Sequence, residues 1–382
     1  MTIFGTRPEV IKLFPVLDKL KHDQRFEPVI VSTSQHREMI ADLLKLFSIE
    51  PDHDLQIIKE NQSLVDISTR ALSGLDPLLM QRRPDMVLVQ GDTTTAFIGT
   101  LAAFYHKIPV GHVEAGLRSF NKMHPYPEEI NRRLISLVTD IHFAPTLQNA
   151  QNLYKEAIDP AKVFLTGNTV IDSLLYVANR KNKTLDVYVP TEVLNSHRMI
   201  LVTAHRRESW GEPLEHLCAA LKDLVRSFPD VQIVYPVHLN PNVRKTVFSI
   251  LTHVDRIHLL EPLPYQSFIE AMAKAYLIIT DSGGVQEEGP TFKKPILVFR
   301  KVTERPEGLA MGGVKLVGTN RENVVHEASC LLVDPAAYEN MIAPFNPYGD
   351  GHAADRIIEA ILHHFTLGDP PRAFNPEGPA IL

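Results

Sequence analysis

Cysteine is scarce in this chain of 382 residues, where Cys218 and Cys330 are the only two. Their separation fits neither a disulfide framework nor paired zinc ligands, and so few thiols suit a reducing cytosol. Long hydrophobic runs are missing as well. No apolar stretch approaches the roughly 18 residues a spanning helix needs, and Arg7 and Glu9 interrupt the segment where a signal peptide would carry its apolar core. A soluble, cytoplasmic protein without a membrane partner is expected, and on that reading the sequons "NQS" (61–63) and "NKT" (182–184) are chance matches. The chain opens directly on an apolar run, so a few residues are expected to precede it. The net charge is -6 and no long Lys/Arg block occurs, which argues against a nucleic-acid partner but leaves local cations free to hold a small anion. No GxxxxGK[ST] loop is present, nor any HExxH among the 17 histidines, so neither a Walker A site nor a metal set is expected.

What is present points to α/β architecture. Hydrophobic residues make up 44% of a chain longer than the ~250–300 residues at which a single core stops growing, so two domains are expected. Short β-branched runs recur, each followed by polar or Gly-rich punctuation and a helix-length segment: "MTIF|GTRPE", "MVLVQ|GDTTT", "PVGHVE|AG", "MILVTA|HRRES", "LIIT|DSGG", "PILVF|RKVTERPEG". This alternation indicates buried parallel strands in βα units. A boundary near "LTGNTVID" gives two doubly wound Rossmann-like halves, 1–168 and 169–350, with an amphipathic helix at 352–366 completing the first. The Pro-rich tail after it reads as loose. Ligands of such sheets sit beyond the strands' carboxyl ends, and a cleft between the halves is the expected site.

The polar clusters fall at those strand ends. In "DSGGVQEE", Gly283 and Gly284 let backbone approach a phosphate at a helix start, and Glu287 or Glu288 could grip a ribose; an ordinary turn with Asp281 as helix N-cap is the alternative. In "FGTRPEVIK", Pro8 suits the first helical position, while Arg7 and Lys12 oppose the local helix dipole; an anionic ligand explains them, as would ordinary ion pairs. Arg305 lies in a third strand-end loop. Asp92 in "QGDTTT" reads equally as a helix cap or a functional carboxylate. His205, beside Arg206 and Arg207, could meet a phosphate or assist a leaving group, although a lone strand-end His is more often structural. Glu114 leaves a buried strand, as a tunable base would. Glu128 and Glu129 sit in a first helical turn after Pro127, where dipole stabilisation alone accounts for them, and Glu128 with Arg132 has i,i+4 spacing for a solvated pair.

Nine stretches, "FGTRPEVIK", "QGDTTT", "GHVEAGLRS", "PYPEEINR", "TAHRRES", "YPVHLNP", "DSGGVQEE", "TERPEG" and "NPYGDG", come in the order and approximate spacing of the non-hydrolysing UDP-N-acetylglucosamine 2-epimerases. The chain resembles that family from residue 1 to about 365. The resemblance implies a GT-B-type pair of domains, a homodimer, and interconversion of UDP-N-acetylglucosamine and UDP-N-acetylmannosamine for cell-surface polysaccharide synthesis. It implies C2 deprotonation, loss of UDP to a 2-acetamidoglucal and re-addition on the opposite face, with no cofactor. Asp92, Glu114 and Glu128 match the family's catalytic carboxylates and His205 its histidine. Arg7, Lys12, Ser282, Gly283, Gly284, Glu288 and Arg305 match UDP-binding positions, with Phe268 against uracil. Glu114 and Glu128 are expected to serve opposite sugar faces, with Asp92 holding or tuning the first.

Two departures bear on regulation. Where many bacterial members carry Gln-x-x-Gln and an Arg before "QSL" to hold an activating second substrate, this chain has Gln35 with Glu38, and Asn61. Arg206 and His238 remain, so weak or absent activation is expected. "GPTFKKP" also differs from the usual small-Gly-Lys-Pro ending. A relative acting on a modified UDP-sugar such as a UDP-diacetamido-uronic acid, a GT-B glycosyltransferase and a non-turnover sensor are the alternative readings. A transferase would have no obvious need for three carboxylates, and a sensor is expected to have lost one.

Overall fold

The computed structural model describes residues 1–35, 37–59, 62–180 and 184–376, apart from the side chains of residues 37–39. The chain separates into two compact units, the first formed by Met1–Ser173 with Tyr348–Asn375 and the second by Leu174–Pro347 with Pro376.

In the first unit the strands are β1 (Thr2–Phe4), β2 (Ile30–Ser32), β3 (His53–Asp54), β4 (Val87–Gln90), β5 (Val110–Val113), β6 (Ile141–Ala144) and β7 (Val163–Leu165). They form one parallel sheet in the order β3-β2-β1-β4-β5-β6-β7. Every residue of β4, β5 and β6 is buried, which is why these segments read as mostly apolar runs without polar alternation, with Gln90, His112 and His142 their polar members. The winding direction reverses between β1 and β4, so the turns after those strands lie side by side at the sheet's carboxyl edge. Close approach at that edge demands glycine: a Cβ on Gly5 would stand 2.0 Å from the Thr33 Oγ1 and 2.8 Å from the Thr95 Oγ1. The late helix Ala353–His364 belongs to this unit and packs on the helix Arg7–His22. Asp172 caps its start, accepting from the backbone N–H groups of Ala353 (3.3 Å) and Ala354 (2.8 Å).

The second unit repeats the plan with β8 (Arg198–Thr203), β9 (Val231–Pro236), β10 (Ile257–Leu260), β11 (Leu277–Thr280), β12 (Ile296–Val298) and β13 (Val314–Leu316), in the order β10-β9-β8-β11-β12-β13. Its reversal falls between β8 and β11, and its core joins Ile200, Val202, Ile279 and Leu297 of the sheet to Leu217, Leu221 and Leu224 of the helix Glu212–Ser227. Among the described residues no helix is long and apolar enough to cross a membrane.

Candidate active site

The three turns that follow β1, β4 and β5 carry the polar groups of the first unit. Glu114 follows β5 directly with φ of 65°, a left-handed conformation uncommon for a residue with a Cβ and frequent at functional positions. Its carboxylate is ringed by donors: the Lys12 ammonium and the Gln90 amide bond it directly, and Asn168 Nδ2 donates from 3.2 Å. Only 9% of the Glu114 side chain is exposed, so these contacts fix its direction. Asp92, after β4, is engaged elsewhere, its Oδ2 taking Nη2 (2.5 Å) and Nε (3.0 Å) of Arg132. Arg132 reaches on to Glu129 at 3.3 Å, and the wholly buried Glu129 also accepts from the backbone N–H groups of Ser119 (2.9 Å) and Phe120 (3.0 Å). Glu128 opens the helix Glu128–Val138 with a half-buried side chain, and among the described residues its carboxylate has no partner. The His124–Pro125 and Tyr126–Pro127 peptides just before it are cis.

Glu9 ties two of these turns together. It is fully buried, accepts from the backbone N–H of Gly5 (3.0 Å) and Thr6 (2.7 Å) with one oxygen, and receives the Thr93 hydroxyl (2.7 Å) on the other. Burial pushes its carboxyl above the usual range while those hydrogen bonds pull the other way. The turn bearing Arg7 is thereby fastened to the turn bearing Asp92. Arg7 itself has no partner among the described residues and keeps its guanidinium free. Gln35 accepts from the Thr95 hydroxyl (2.9 Å) in the same unit.

In the second unit Asp281 follows β11 without exposure and organises the turn after β8. Its carboxylate accepts from the backbone N–H of His205 (2.9 Å) and Arg206 (2.9 Å) and from the Ser209 hydroxyl (2.8 Å). His205 stacks on the exposed His238 with ring centroids 5.5 Å apart. Burial lowers the His205 pKa against the pull of Asp281, which leaves a neutral ring at pH 7. Arg305 pairs with Glu287 at 2.9 Å and lies so close over Gly283 that a Cβ there would stand 2.8 Å from its Cζ. Ser282 and Gly284 flank that contact at the start of the short helix Gly283–Glu288. Glu288 is buried and accepts from the Tyr265 hydroxyl at 3.1 Å, and Phe268 lies half-exposed on the helix Tyr265–Lys274.

Several local expectations are corrected. Asp92 caps no helix, because Thr93 does, its hydroxyl accepting from the Ala96 N–H. Asp281 is likewise no N-cap: Ser282 holds that position while Asp281 binds a distant turn. Arg132 is taken by Asp92 and Glu129, so its i,i+4 pairing with Glu128 does not form. Of the two roles open to Lys12, an anion partner or an ion pair, the structure shows a pair with Glu114, and Glu114 is held by Lys12, Gln90 and Asn168 rather than by Asp92. Glu38 (side chain) and Asn61 lie outside the described residues. Glu9, Gln90 and Asn168 escaped the sequence reading. Only Glu9 carried a signal, the Thr-x-x-Glu spacing of a helix start.

Two histidines below the site predict the acid response. Burial pushes His112 down to about 4 and His142 down to about 3; His112 meanwhile bonds the Gly91 carbonyl at 2.7 Å. The unfolded chain takes protons on both near 6.5, so between that pH and about 4 it binds more protons than the fold, and stability falls with pH. Asp172 opposes this. Burial raises its carboxyl from 3.8 to about 7, so the fold binds the extra proton across that window and gains stability as pH drops. Thermal unfolding from pH 7 to 4.5 should therefore show acid destabilisation that is steeper in Asp172→Asn than in the parent. Parallel curves would count against it.

A family model described as UDP-N-acetylglucosamine 2-epimerase matches residues 18–362. The UDP-N-acetylglucosamine 2-epimerase of Bacillus subtilis is 49% identical over 365 residues, which are 96% of this chain and 95% of that protein. The structure of the Neisseria meningitidis UDP-GlcNAc 2-epimerase bound to UDP-GlcNAc superposes with a TM-score of 0.89 at 45% identity, covering 95% of this chain and 99% of the other. An S. aureus protein solved with UDP gives a TM-score of 0.89 at 45% identity, with 98% and 99% covered. Two parallel sheets of Rossmann type, motifs at their carboxyl ends and relatives alike along nearly the whole length lead to one conclusion: this chain belongs to the UDP-N-acetylglucosamine 2-epimerase family.

Proposed function

We propose that this chain interconverts UDP-N-acetylglucosamine and UDP-N-acetylmannosamine by breaking and remaking the C2–H and C1–O bonds. The observation that carries the reading is the Glu114 carboxylate, aimed by a left-handed backbone and held by Lys12, Gln90 and Asn168. An oriented carboxylate of this kind can take the C2 proton as UDP departs, leaving a 2-acetamidoglucal. Glu128, without a partner among the described residues, can return a proton to the opposite face. Asp92, fixed by Arg132, frames that space. The charge growing on the leaving diphosphate falls to the free Arg7, to neutral His205 as a hydrogen-bond donor, and to Arg305 with the Ser282–Gly284 backbone. Glu288 is assigned to the ribose and Phe268 to uracil. The scheme needs neither NAD nor metal.

Proton NMR of the protein with UDP-N-acetylglucosamine in deuterium oxide tests this. Epimer carrying deuterium at C2 is the expected result, and product without it would end the proton-exchange scheme. Free UDP with the sugar on an acceptor would point to a transferase, and no change to a sensor or another UDP-sugar. The rate curve is expected to be hyperbolic, on the Glu38 and Asn61 departures; a sigmoidal curve, with UDP-N-acetylmannosamine turnover needing added UDP-N-acetylglucosamine, would refute that.

We extend the reading to a cytoplasmic homodimer that supplies cell-surface polysaccharide synthesis. Free thiols at Cys218 and Cys330 suit that compartment. Ile130, Leu134 and Leu137 lie at i, i+4 and i+7 on the helix Glu128–Val138 and are exposed, Leu137 by 73%; the neighbouring helix Thr94–Tyr105 adds exposed Phe104 and Tyr105. Exposed apolar side chains on two adjoining helices suit a second copy. Leu137→Glu should shift sedimentation from dimer to monomer, and a monomeric parent would remove this extension.

A further inference from the structure

We propose that Arg300 is a positioning residue for nucleotide affinity, a buried guanidinium that locks the turns after β8 and β12 into one frame. The inference rests on the assignment of UDP to the second unit. Arg300 follows β12 with only 4% of its side chain exposed. Its Nε donates to Glu208 (2.5 Å), in the turn that carries His205 and Arg206. Its two terminal nitrogens grip Glu304 as a fork, at 2.9 Å and 3.2 Å, and Glu304 immediately precedes Arg305. Arg300 therefore acts on the groups assigned to the diphosphate through two carboxylates, one for each turn. Asp281 holds the β8 turn from β11, and among the described residues its carboxylate bonds only His205, Arg206 and Ser209, none of them in the turn bearing Arg305. Arg300 supplies that missing link.

The geometry of Arg305 shows what the link is for. Its guanidinium must stay over Gly283, where it already crowds any Cβ, and its Nε pairs with Glu287 at 2.9 Å. Thr303 fixes the approach, accepting from the Arg305 N–H (3.2 Å) and donating to Gln286 (2.6 Å). These contacts run between β11 and β12, whereas Glu208 and Glu304 connect β12 to β8. A Lys at position 300 keeps one charge but cannot make the two-sided fork, so the two turns would move independently.

Calorimetric titration of UDP into the parent, Arg300→Lys, Glu208→Gln and the control Arg321→Lys decides the matter. Glu208 is 55% exposed, so Glu208→Gln folds even where Arg300→Lys does not, and among the described residues Arg321 pairs only with Asp223, at the surface. The expected result is UDP affinity weakened about tenfold in Arg300→Lys and severalfold in Glu208→Gln, with KM raised in step, kcat within about twofold of the parent, and the control unchanged. Parent-like UDP affinity in both variants would overturn the clamp while leaving the nucleotide assignment intact. A parent that binds no UDP would overturn both. Loss of kcat in proportion to a lowered Tm, with KM unchanged, would make Arg300 purely structural and also overturn the proposal.

Discussion

Replacing Glu114 with Gln is expected to lower kcat by about 10²–10⁴-fold, the range for losing a positioned acid–base group, with little change in Tm. The fold should tolerate the change. The substituted amide keeps a carbonyl oxygen for Lys12 and Asn168, and its NH₂ can meet the carbonyl of Gln90 once that neighbouring amide turns over. Backbone strain is equal for the two residues, since the φ of 65° depends on the presence of a Cβ and not on the side-chain charge. An amide cannot take the C2 proton, so the loss falls on chemistry. The loss amounts to roughly 3–5 kcal/mol of transition-state stabilisation, at 1.36 kcal/mol for each tenfold. KM is expected to stay near the parent value because, of the groups assigned to UDP, only Lys12 touches Glu114, and it keeps an amide oxygen to bond. Deuterium appearing at C2 at the parental rate in Glu114→Gln would remove Glu114 from the proton path.

The sequence displays some of this arrangement and conceals the rest for physical reasons. Buried parallel strands are predominantly apolar, and the residue that follows each run is the one the sheet presents at its carboxyl edge. Glu114 after "GHV", Asp92 after "LVQG" and Asp281 after "LIIT" were therefore visible as strand-end carboxylates. What they bind was not visible. Local reading offered helix capping as one of two roles for Asp92 and as the alternative for Asp281, because an N-cap is a contact within a few residues. Their real partners, Arg132 and the His205–Ser209 turn, are 40 and about 72–76 positions away. Those distances close only because the strand order brings β4 beside β5 and β8 beside β11. The same holds for Lys12, 102 positions from Glu114. Arg132 shows competition as well. Its i,i+4 neighbour Glu128 offers a solvated pair worth a few tenths of a kcal/mol, whereas Asp92 and buried Glu129 offer better shielded partners, and the guanidinium turns inward.

Asp281→Ala is expected to destabilise the second unit by roughly 3 kcal/mol or more and to raise KM for the UDP-sugar more than tenfold. Asp281 has no exposed surface, and its carboxylate is the acceptor for the His205 N–H, the Arg206 N–H and the Ser209 hydroxyl. Alanine leaves all three donors in place with nothing to receive them. Each buried donor left unpaired costs about 1–3 kcal/mol, less whatever an entering water recovers. That is a large share of the roughly 5–15 kcal/mol that holds a domain together. Function should suffer beyond stability, since the freed turn is the one that carries His205 and Arg206 and links to Arg300 through Glu208. Asp281→Asn separates the two effects. All three donors share Oδ2, so an Asn carbonyl placed there can still accept from them while its NH₂ stands uncharged at the Oδ1 position beside the His205 N–H, and the variant should fall between Ala and the parent in both denaturant midpoint and KM. If Asp281→Ala unfolds at the parental denaturant concentration, the anchor does not hold the turn, and the role given to Asp281 fails.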